Sequence, residues 1–123
     1  MEVLAVAFGG AFGAGLRYVL AHVLTHGRRP SSWLPVGTLI ANTVGCFVLG
    51  WAAYALSGTA LLLVGTGFCG GLTTWSTLAS ETDRLAATGE RRRSATYLVL
   101  TLVLGGIAVV LGYQAGCCQA FPA

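Results

Sequence analysis

The chain carries very little charge. Charged residues make up 9% of its 123 positions, lysine is absent, and Asp and Glu together number 4, whereas apolar residues make up 55%. Ordinary soluble domains have roughly 25% charged residues, and a small domain needs them most because its surface is large relative to its volume. The high apolar content also excludes an intrinsically disordered chain. The composition therefore predicts a membrane protein.

Patterns that would support an enzyme, a metal centre or a nucleic-acid interface are also absent. The 4 cysteines form no CxxC pair, and the 2 histidines, His22 and His26, lie at the edge of an apolar segment. The sequence has no cluster with metal-ligand spacing and no pairing of a nucleophile with a base. Most arginines sit in two short clusters between apolar segments, unlike the basic face of a nucleic-acid-binding protein. We therefore expect neither an enzyme nor a nucleic-acid partner.

Four apolar windows are long enough to cross a lipid bilayer, which takes about 20 residues. They cover residues 3–24, 36–56, 60–80 and 95–115. Turn-forming residues separate them, and the longest and most charged break covers residues 81–94. The sequence predicts an all-α membrane protein in which residues 1–123 form one domain of four transmembrane helices. Four such helices make too thin a bundle for a central pore, so we expect an oligomer.

The third window combines glycines with hydroxyl residues. Gly65, Gly67, Gly70 and Gly71 precede the segment TTWST at residues 73–77. A glycine inside a helix costs about 1 kcal/mol relative to alanine, so we predict that the third helix is broken at Gly70–Gly71. Carbonyls freed at such a break can hold a cation. Alternatively, glycines spaced by four residues allow neighbouring helices to pack closely, and both interpretations stay open.

Asn42 lies in the middle of the second window, and Thr38 precedes it by one turn on the same face. An amide at this depth is costly unless it is paired, so it should face the helix bundle or an ion pathway. Its NH2 group offers two donors and no charge, which suits an anion. Hydrogen bonding between helices explains the residue equally well, and the sequence leaves both interpretations open.

Polar residues also mark the first and fourth windows. Arg17 can reach the membrane boundary from the end of the first window, or it can hold a positive potential at an anion vestibule. Tyr97, Thr101 and Gly105 are spaced at i, i+4 and i+8, which places two hydroxyls and a gap on one face. No Asp or Glu lies inside any window, which disfavours a proton-coupled carrier such as a small multidrug-type transporter.

Three motifs together are typical of one family. They read GGAFGAGLRY at residues 9–18, GTLIANTVGCFVLG at residues 37–50 and GFCGGLTTWST at residues 67–77. With them the chain resembles the Fluc (CrcB) fluoride channels across all four windows. The resemblance implies passive export of fluoride through antiparallel dimers of four-helix subunits. It also implies two fluoride pathways along the subunit interface and one structural sodium ion at the dimer centre.

The resemblance assigns roles to individual residues. It implies that the backbone carbonyls of Gly70 and Thr73 hold the sodium ion, in keeping with a glycine-broken helix. Arg17 matches the arginine at the end of the family's first span. The implied fluoride pathway contains one amide and three hydroxyl residues: Asn42, Thr38, Tyr97 and Thr101. Such a route, rich in hydrogen-bond donors, would replace the hydration shell of the ion.

The chain departs from the family at two positions of the third span. Where the family has two phenylalanines whose rings line the fluoride pathway, this sequence has Trp75 and Leu78. Tryptophan keeps an electropositive ring edge and an N–H donor, so Trp75 is included in the predicted pathway. Leu78 offers a fluoride ion nothing. A non-conducting structural partner in a heterodimeric channel is therefore the alternative to a conducting subunit.

The arginines are distributed unevenly between the loops. With four spans, loops 25–35 and 81–94 lie on one side of the membrane, and the segments on the other side contain neither lysine nor arginine. Because such a bias fixes orientation, we predict a plasma-membrane protein with both arginine loops in the cytoplasm and both termini outside. An antiparallel dimer of identical chains needs both orientations, so we expect a homologous partner of opposite bias. The loop arginines are Arg28, Arg29, Arg84, Arg91, Arg92 and Arg93.

Overall fold

The computed structural model describes residues 1–25 and 34–120. Within these ranges every regular element is helical, and 4 helices are long and apolar enough to cross a membrane. Two shorter helices follow each other across an interruption and together make the third span, Gly58–Ala87. The predicted all-α architecture with four spans is confirmed. The helices are α1 (Glu2–Thr25), α2 (Val36–Ala55), α3 (residues 58–72, π-helical over Leu62–Cys69), α4 (Trp75–Ala87) and α5 (Arg91–Ala120).

The third span is interrupted, but the predicted position of the break at Gly70–Gly71 is wrong. Gly70 has helical φ and ψ angles of −63° and −34°. The backbone becomes extended only at Thr73, with ψ 153°, and at Thr74, with φ −150° and ψ 122°. Gly71 serves packing instead, because a Cβ there would overlap the carbonyl oxygen of Gly10 on α1. The chain opens two residues later, where threonine hydroxyls and a side chain from α2 replace the lost backbone bonds.

The predicted polar break at residues 81–94 is also much shorter in the structure. α4 ends at Ala87 and α5 begins at Arg91, so only residues 88–90 form the turn. Gly89 makes this turn possible because its φ of +84° lies in the left-handed region, where a glycine commonly ends a helix. Charge ends the apolar window after residue 80, but no helix-breaking residue follows until Gly89, and α4 therefore continues into the polar zone.

Glycines set the packing of the helices. α1 packs against α3, and α2 packs against α5. A Cβ on Gly13 of α1 would overlap the carbonyl oxygen of Phe68, and a Cβ on Gly112 of α5 would overlap that of Phe47. Close backbone approach drives helix association in lipid, where burial of apolar surface cannot. The packing interpretation of the glycines in the third window is confirmed in the same way, because a Cβ on Gly67 would overlap backbone atoms of α1.

Candidate functional site

Asn42 of α2 bridges the interruption in the third span. Its Nδ2 donates to the Thr74 carbonyl oxygen at 3.3 Å, and its Oδ1 accepts from the Thr74 N–H at 2.8 Å. The amide thus accepts from the Thr74 N–H, which the interruption deprives of a helical partner, and it also donates to the Thr74 carbonyl, the N-cap carbonyl of α4. Both residues are buried, and an unpaired buried group would cost about 1–3 kcal/mol. An Asn side chain has two Nδ2 protons, and this pair uses one of them.

The interruption also removes the helical donors of carbonyl oxygens at the end of α3, among them those of Gly70 and Thr73. In a continuous helix the Thr74 N–H would donate to the carbonyl of Gly70. The Thr77 N–H would likewise donate to the carbonyl of Thr73. Instead, the Thr74 N–H donates to Asn42, and the Thr77 N–H donates to the Thr74 hydroxyl at 3.2 Å, which caps α4. The carbonyls of Gly70 and Thr73, which were predicted to hold sodium, are therefore released by the same break.

A groove of about 420 Å³ lies beside the interruption. Trp75, the first residue of α4, is 68% exposed at this groove, whereas Leu78 is buried and forms part of its wall. Gly105 and Gly106 of α5 also line it and leave space because they have no side chain. The groove brings together four of the predicted site residues: Asn42, Thr73, Trp75 and Thr101.

Glu81 of α4 joins two of the predicted hydroxyl residues. Its Oε1 accepts a hydrogen bond from the Thr38 hydroxyl at 3.1 Å, and its Oε2 accepts one from the Tyr97 hydroxyl at 2.6 Å. Both hydroxyl residues are buried, with Tyr97 at 0% exposure. Thr38 precedes Asn42 by one turn of α2, and Tyr97 precedes Thr101 by one turn of α5. The carboxylate cluster Thr38, Glu81 and Tyr97 therefore lies one turn from the groove.

Sequence alone did not indicate Glu81. The third apolar window ends at residue 80, so it places Glu81 in the following loop. The prediction that no Asp or Glu lies inside a span depended on that boundary. The structure corrects the prediction, because Glu81 lies within the third span, Gly58–Ala87. Its separation of four residues from Thr77 and three from the buried Leu78 was the signal that it shares their face of a helix.

Arg17 lies at a second, smaller cavity of about 210 Å³. Thr38 and Thr77 line this cavity together with other residues of α1. Thr38 thus contacts the Glu81 carboxylate and also borders the cavity that holds Arg17. Arg17 is not among the residues that line the groove around Asn42. A vestibule role for Arg17 stays a prediction, and the structure locates it beside the carboxylate cluster.

The predicted hydroxyl residues use their protons within the chain. A hydroxyl has one proton, and those of Thr38 and Tyr97 are donated to Glu81. The Thr101 hydroxyl donates to the Tyr97 carbonyl, one turn back, at 2.8 Å. All three oxygens therefore present lone pairs to a ligand in this arrangement. The nitrogen donors of side chains that line the groove belong to Asn42 and Trp75.

Known proteins match the chain over almost all its length. A family profile described as CrcB-like protein, Camphor Resistance (CrcB), matches residues 4–113. Fluoride-specific ion channel FluC 2 of Rhodococcus jostii (strain RHA1) is 41% identical over 115 residues, which cover 93% of this chain and 97% of that protein. Fluoride-specific ion channel FluC 1 of Geobacillus kaustophilus (strain HTA426) is 41% identical over 114 residues, 92% of this chain and 96% of its own. The chain belongs to the CrcB family.

Proposed function

We propose that this chain is a subunit of a fluoride-selective channel through which fluoride leaves the cytoplasm passively, so that its toxicity falls. The observation that carries the proposal is 41% identity, over more than 90% of both chains, to relatives named fluoride-specific ion channels. Four membrane-spanning helices with a donor-lined groove support the same function. The proposal contains no enzymatic step.

Selectivity for a small anion is proposed to arise in the groove beside Asn42. Asn42 and Trp75 offer N–H donors without a formal charge, and both line the groove. Donors held in a site that excludes water replace part of the hydration shell, and they act more strongly there than in water. The first turn of α4 begins at Trp75 and adds the positive end of a helix dipole. The helix dipole and these N–H groups would attract an anion and repel a cation.

The carbonyls of Gly70 and Thr73 fit a structural sodium ion. Carbonyl oxygens of interrupted membrane helices are the uncharged ligands that coordinate sodium in other membrane proteins. Gly70 is exposed, and apart from its chain neighbours and its own helix backbone no atom lies within 4 Å of the position that a Cβ there would take, so this face of α3 has room for a second subunit. Two carbonyls make only part of a coordination shell, and a second subunit would complete it. A sodium ion bound there would place a positive charge between the interrupted third spans of the two subunits.

An antiparallel dimer with a homologous subunit would cover the open side of the groove. The 68% exposure of Trp75 on a membrane-spanning segment supports a partner at this face. Arg84, Arg91 and Arg92 are exposed around the turn between α4 and α5, whereas Arg28 and Arg29 lie outside the described residues. In the proposed orientation these loops lie in the cytoplasm and both termini lie outside. Because the dimer is antiparallel, the partner inserts the other way round, and its arginines are distributed in the opposite sense.

A second candidate function is that of a non-conducting structural partner. One observation favours it: the hydroxyls of Thr38, Tyr97 and Thr101 donate within the chain and face a ligand with lone pairs. In that case the conducting pathway would be formed by residues of the homologous subunit. Glu81 supplies a carboxylate within a span, as a small multidrug-type transporter would need, but the relatives at 41% identity are named fluoride-specific ion channels and favour the channel.

Efflux from liposomes tests these proposals. Vesicles loaded with fluoride or with chloride would contain this chain, its homologue, or both, at equal protein content. We expect fluoride efflux without chloride efflux when both subunits are present. Abolition by Asn42→Asp in this chain alone, with the partner's equivalent intact, would identify a conducting subunit. An absence of fluoride efflux from correctly inserted dimers would contradict the channel function.

A further inference from the structure

Glu81 creates a conflict in any anion pathway that uses Thr38 and Tyr97. Each of these residues has one hydroxyl proton, and the carboxylate accepts both, at 3.1 and 2.6 Å. A fluoride ion beside this cluster would face two oxygen lone pairs and a negative charge. The fluoride ion could accept a hydrogen bond there only after one of the two hydroxyls had stopped donating to the Glu81 carboxylate.

We propose that the Glu81 carboxylate is a tethered anion that occupies a fluoride site between Thr38 and Tyr97, and that fluoride enters by displacing it. This inference rests on the proposed channel function. Carboxylate and fluoride both accept short, charge-assisted hydrogen bonds, so the exchange conserves the number of bonds to the two hydroxyls. Each hydroxyl serves one anion at a time, and the site offers donors only when fluoride replaces the carboxylate.

The displaced carboxylate has a cavity and a cation beside it. Thr77 lies one turn before Glu81 on the same face of α4, and it lines the cavity of about 210 Å³ with Thr38 and Arg17. Glu81 is half-buried, so its side chain is not enclosed on all sides. Rotation of the side chain toward this cavity would bring the carboxylate to the side of the cluster on which Arg17 of α1 lies. Arg17 of α1 is the charged residue that lines this cavity beside the cluster.

This exchange lowers the apparent affinity for fluoride. When a binding-competent state is populated only part of the time, the apparent dissociation constant equals the intrinsic one divided by the fraction of time that this state is populated, so it rises. Here the competent state is the one in which Thr38 and Tyr97 are free of Glu81. A weaker acceptor at position 81 should therefore favour fluoride binding.

The substitution Glu81→Gln tests the exchange. It keeps the length of the side chain but replaces the charged acceptor by a neutral one, whose hydrogen bonds are roughly half as strong. We expect the fluoride concentration for half-maximal efflux to fall about tenfold in liposomes that contain both subunits. Glu90→Gln is the matched control, because Glu90 pairs with Arg93 at 2.7 Å in the turn and should leave this concentration unchanged.

The same substitution in a Tyr97→Phe background separates shared donors from long-range charge. If Glu81 competes through the hydroxyls, Glu81→Gln should shift the half-maximal concentration much less once the Tyr97 donor is gone. An equal shift in both backgrounds would overturn the inference, as would an unchanged concentration or a loss of efflux in a folded Glu81→Gln dimer. Each of these outcomes leaves the channel function standing if the unmodified dimer conducts fluoride. An unmodified dimer that does not conduct would contradict the channel function itself.

A second variant covers the case in which Glu81→Gln does not fold. Glu81→Asp keeps the charge but shortens the side chain by one methylene group, so the carboxylate cannot reach both hydroxyls. The half-maximal fluoride concentration should again fall relative to the unmodified dimer. An unchanged or raised concentration in Glu81→Asp would overturn the inference.

Discussion

The Asn42 side chain and the Thr74 backbone form a closed pair across the second and third spans. Oδ1 of Asn42 accepts the Thr74 N–H at 2.8 Å, while Nδ2 donates to the Thr74 carbonyl at 3.3 Å. Hydrogen bonding between helices and a ligand role are compatible for this residue, because the amide has a second Nδ2 proton and lines the groove. The pair fixes the position of that donor relative to the break.

Asn42→Asp should separate the two functions of the amide. The carboxylate keeps an acceptor for the Thr74 N–H, but it loses the donor to the Thr74 carbonyl and places a negative charge at the groove. We expect loss of fluoride efflux, with a stability loss of about 1–3 kcal/mol because the Nδ2 donor is lost and a carboxylate oxygen then faces the Thr74 carbonyl oxygen. Efflux from liposomes and thermal unfolding of the purified dimer measure the two effects.

Thr43→Val is the control for this substitution. Thr43 is the next residue of α2, and its hydroxyl donates to the Leu39 carbonyl of its own helix at 2.8 Å. The valine variant should therefore keep its efflux. Unchanged efflux in Asn42→Asp would mean that Asn42 only joins the helices.

Local sequence patterns predicted the helices better than the partners of their polar groups. Hydropathy is a property of each residue, so the apolar windows gave four spans, but charge ended the third window before Glu81. The proton of Tyr97 goes to a residue 16 positions away, and that of Thr38 to one 43 positions away. Such pairings depend on how the spans pack, which no local pattern contains.

The predicted position of the break was wrong for a similar reason, because it too depends on contacts between spans. Glycines at residues 70 and 71 suggested where the helix opens, because glycine weakens a helix. Whether it opens there depends on what else can satisfy the backbone, and the Asn42 amide reaches Thr74. The glycine at 71 is required instead by the carbonyl of Gly10 on the neighbouring helix.

Two glycines of α1 should respond differently to alanine. A Cβ on Gly13 would overlap the carbonyl oxygen of Phe68, whereas nothing lies within 4 Å of a Cβ on Gly15. We expect Gly13→Ala to destabilise the protein by about 1–3 kcal/mol through overpacking. Gly15→Ala should be neutral or stabilising by up to about 1 kcal/mol. Thermal unfolding in detergent compares them, and equal melting temperatures would contradict the close packing of α1 on α3.

Removal of sodium should weaken the dimer if the carbonyls of Gly70 and Thr73 hold the ion. An ion that binds only the folded dimer stabilises it by mass action, so its complete removal lowers the melting temperature. The protein would be purified throughout with a large organic cation in place of sodium. Sodium added back should restore stability and efflux, whereas the same concentration of the organic cation should not. Identical stability and efflux after complete removal would contradict the site.

The arginine bias predicts a single orientation in the membrane. A reporter that fluoresces only in the cytoplasm, fused to the C-terminus, should stay dark, and a reporter active only outside should work. Replacing Arg91, Arg92 and Arg93 with glutamine while adding arginines at Ser57 and Thr59 should shift the chain toward both orientations. Substitution of the same three residues with lysine is the control, because it keeps the charge and should keep the orientation.

Comparable signals from both reporters on the unmodified chain would show dual topology instead. Identical chains could then form the antiparallel dimer, and no homologous partner would be needed. Because Trp75 and Leu78 would then occupy both copies of the groove, a conducting dimer could not rely on a partner's phenylalanines. If the chain has dual topology, we expect fluoride efflux from liposomes that contain this chain alone. If its orientation is fixed, we expect fluoride efflux only when the homologous subunit is also present.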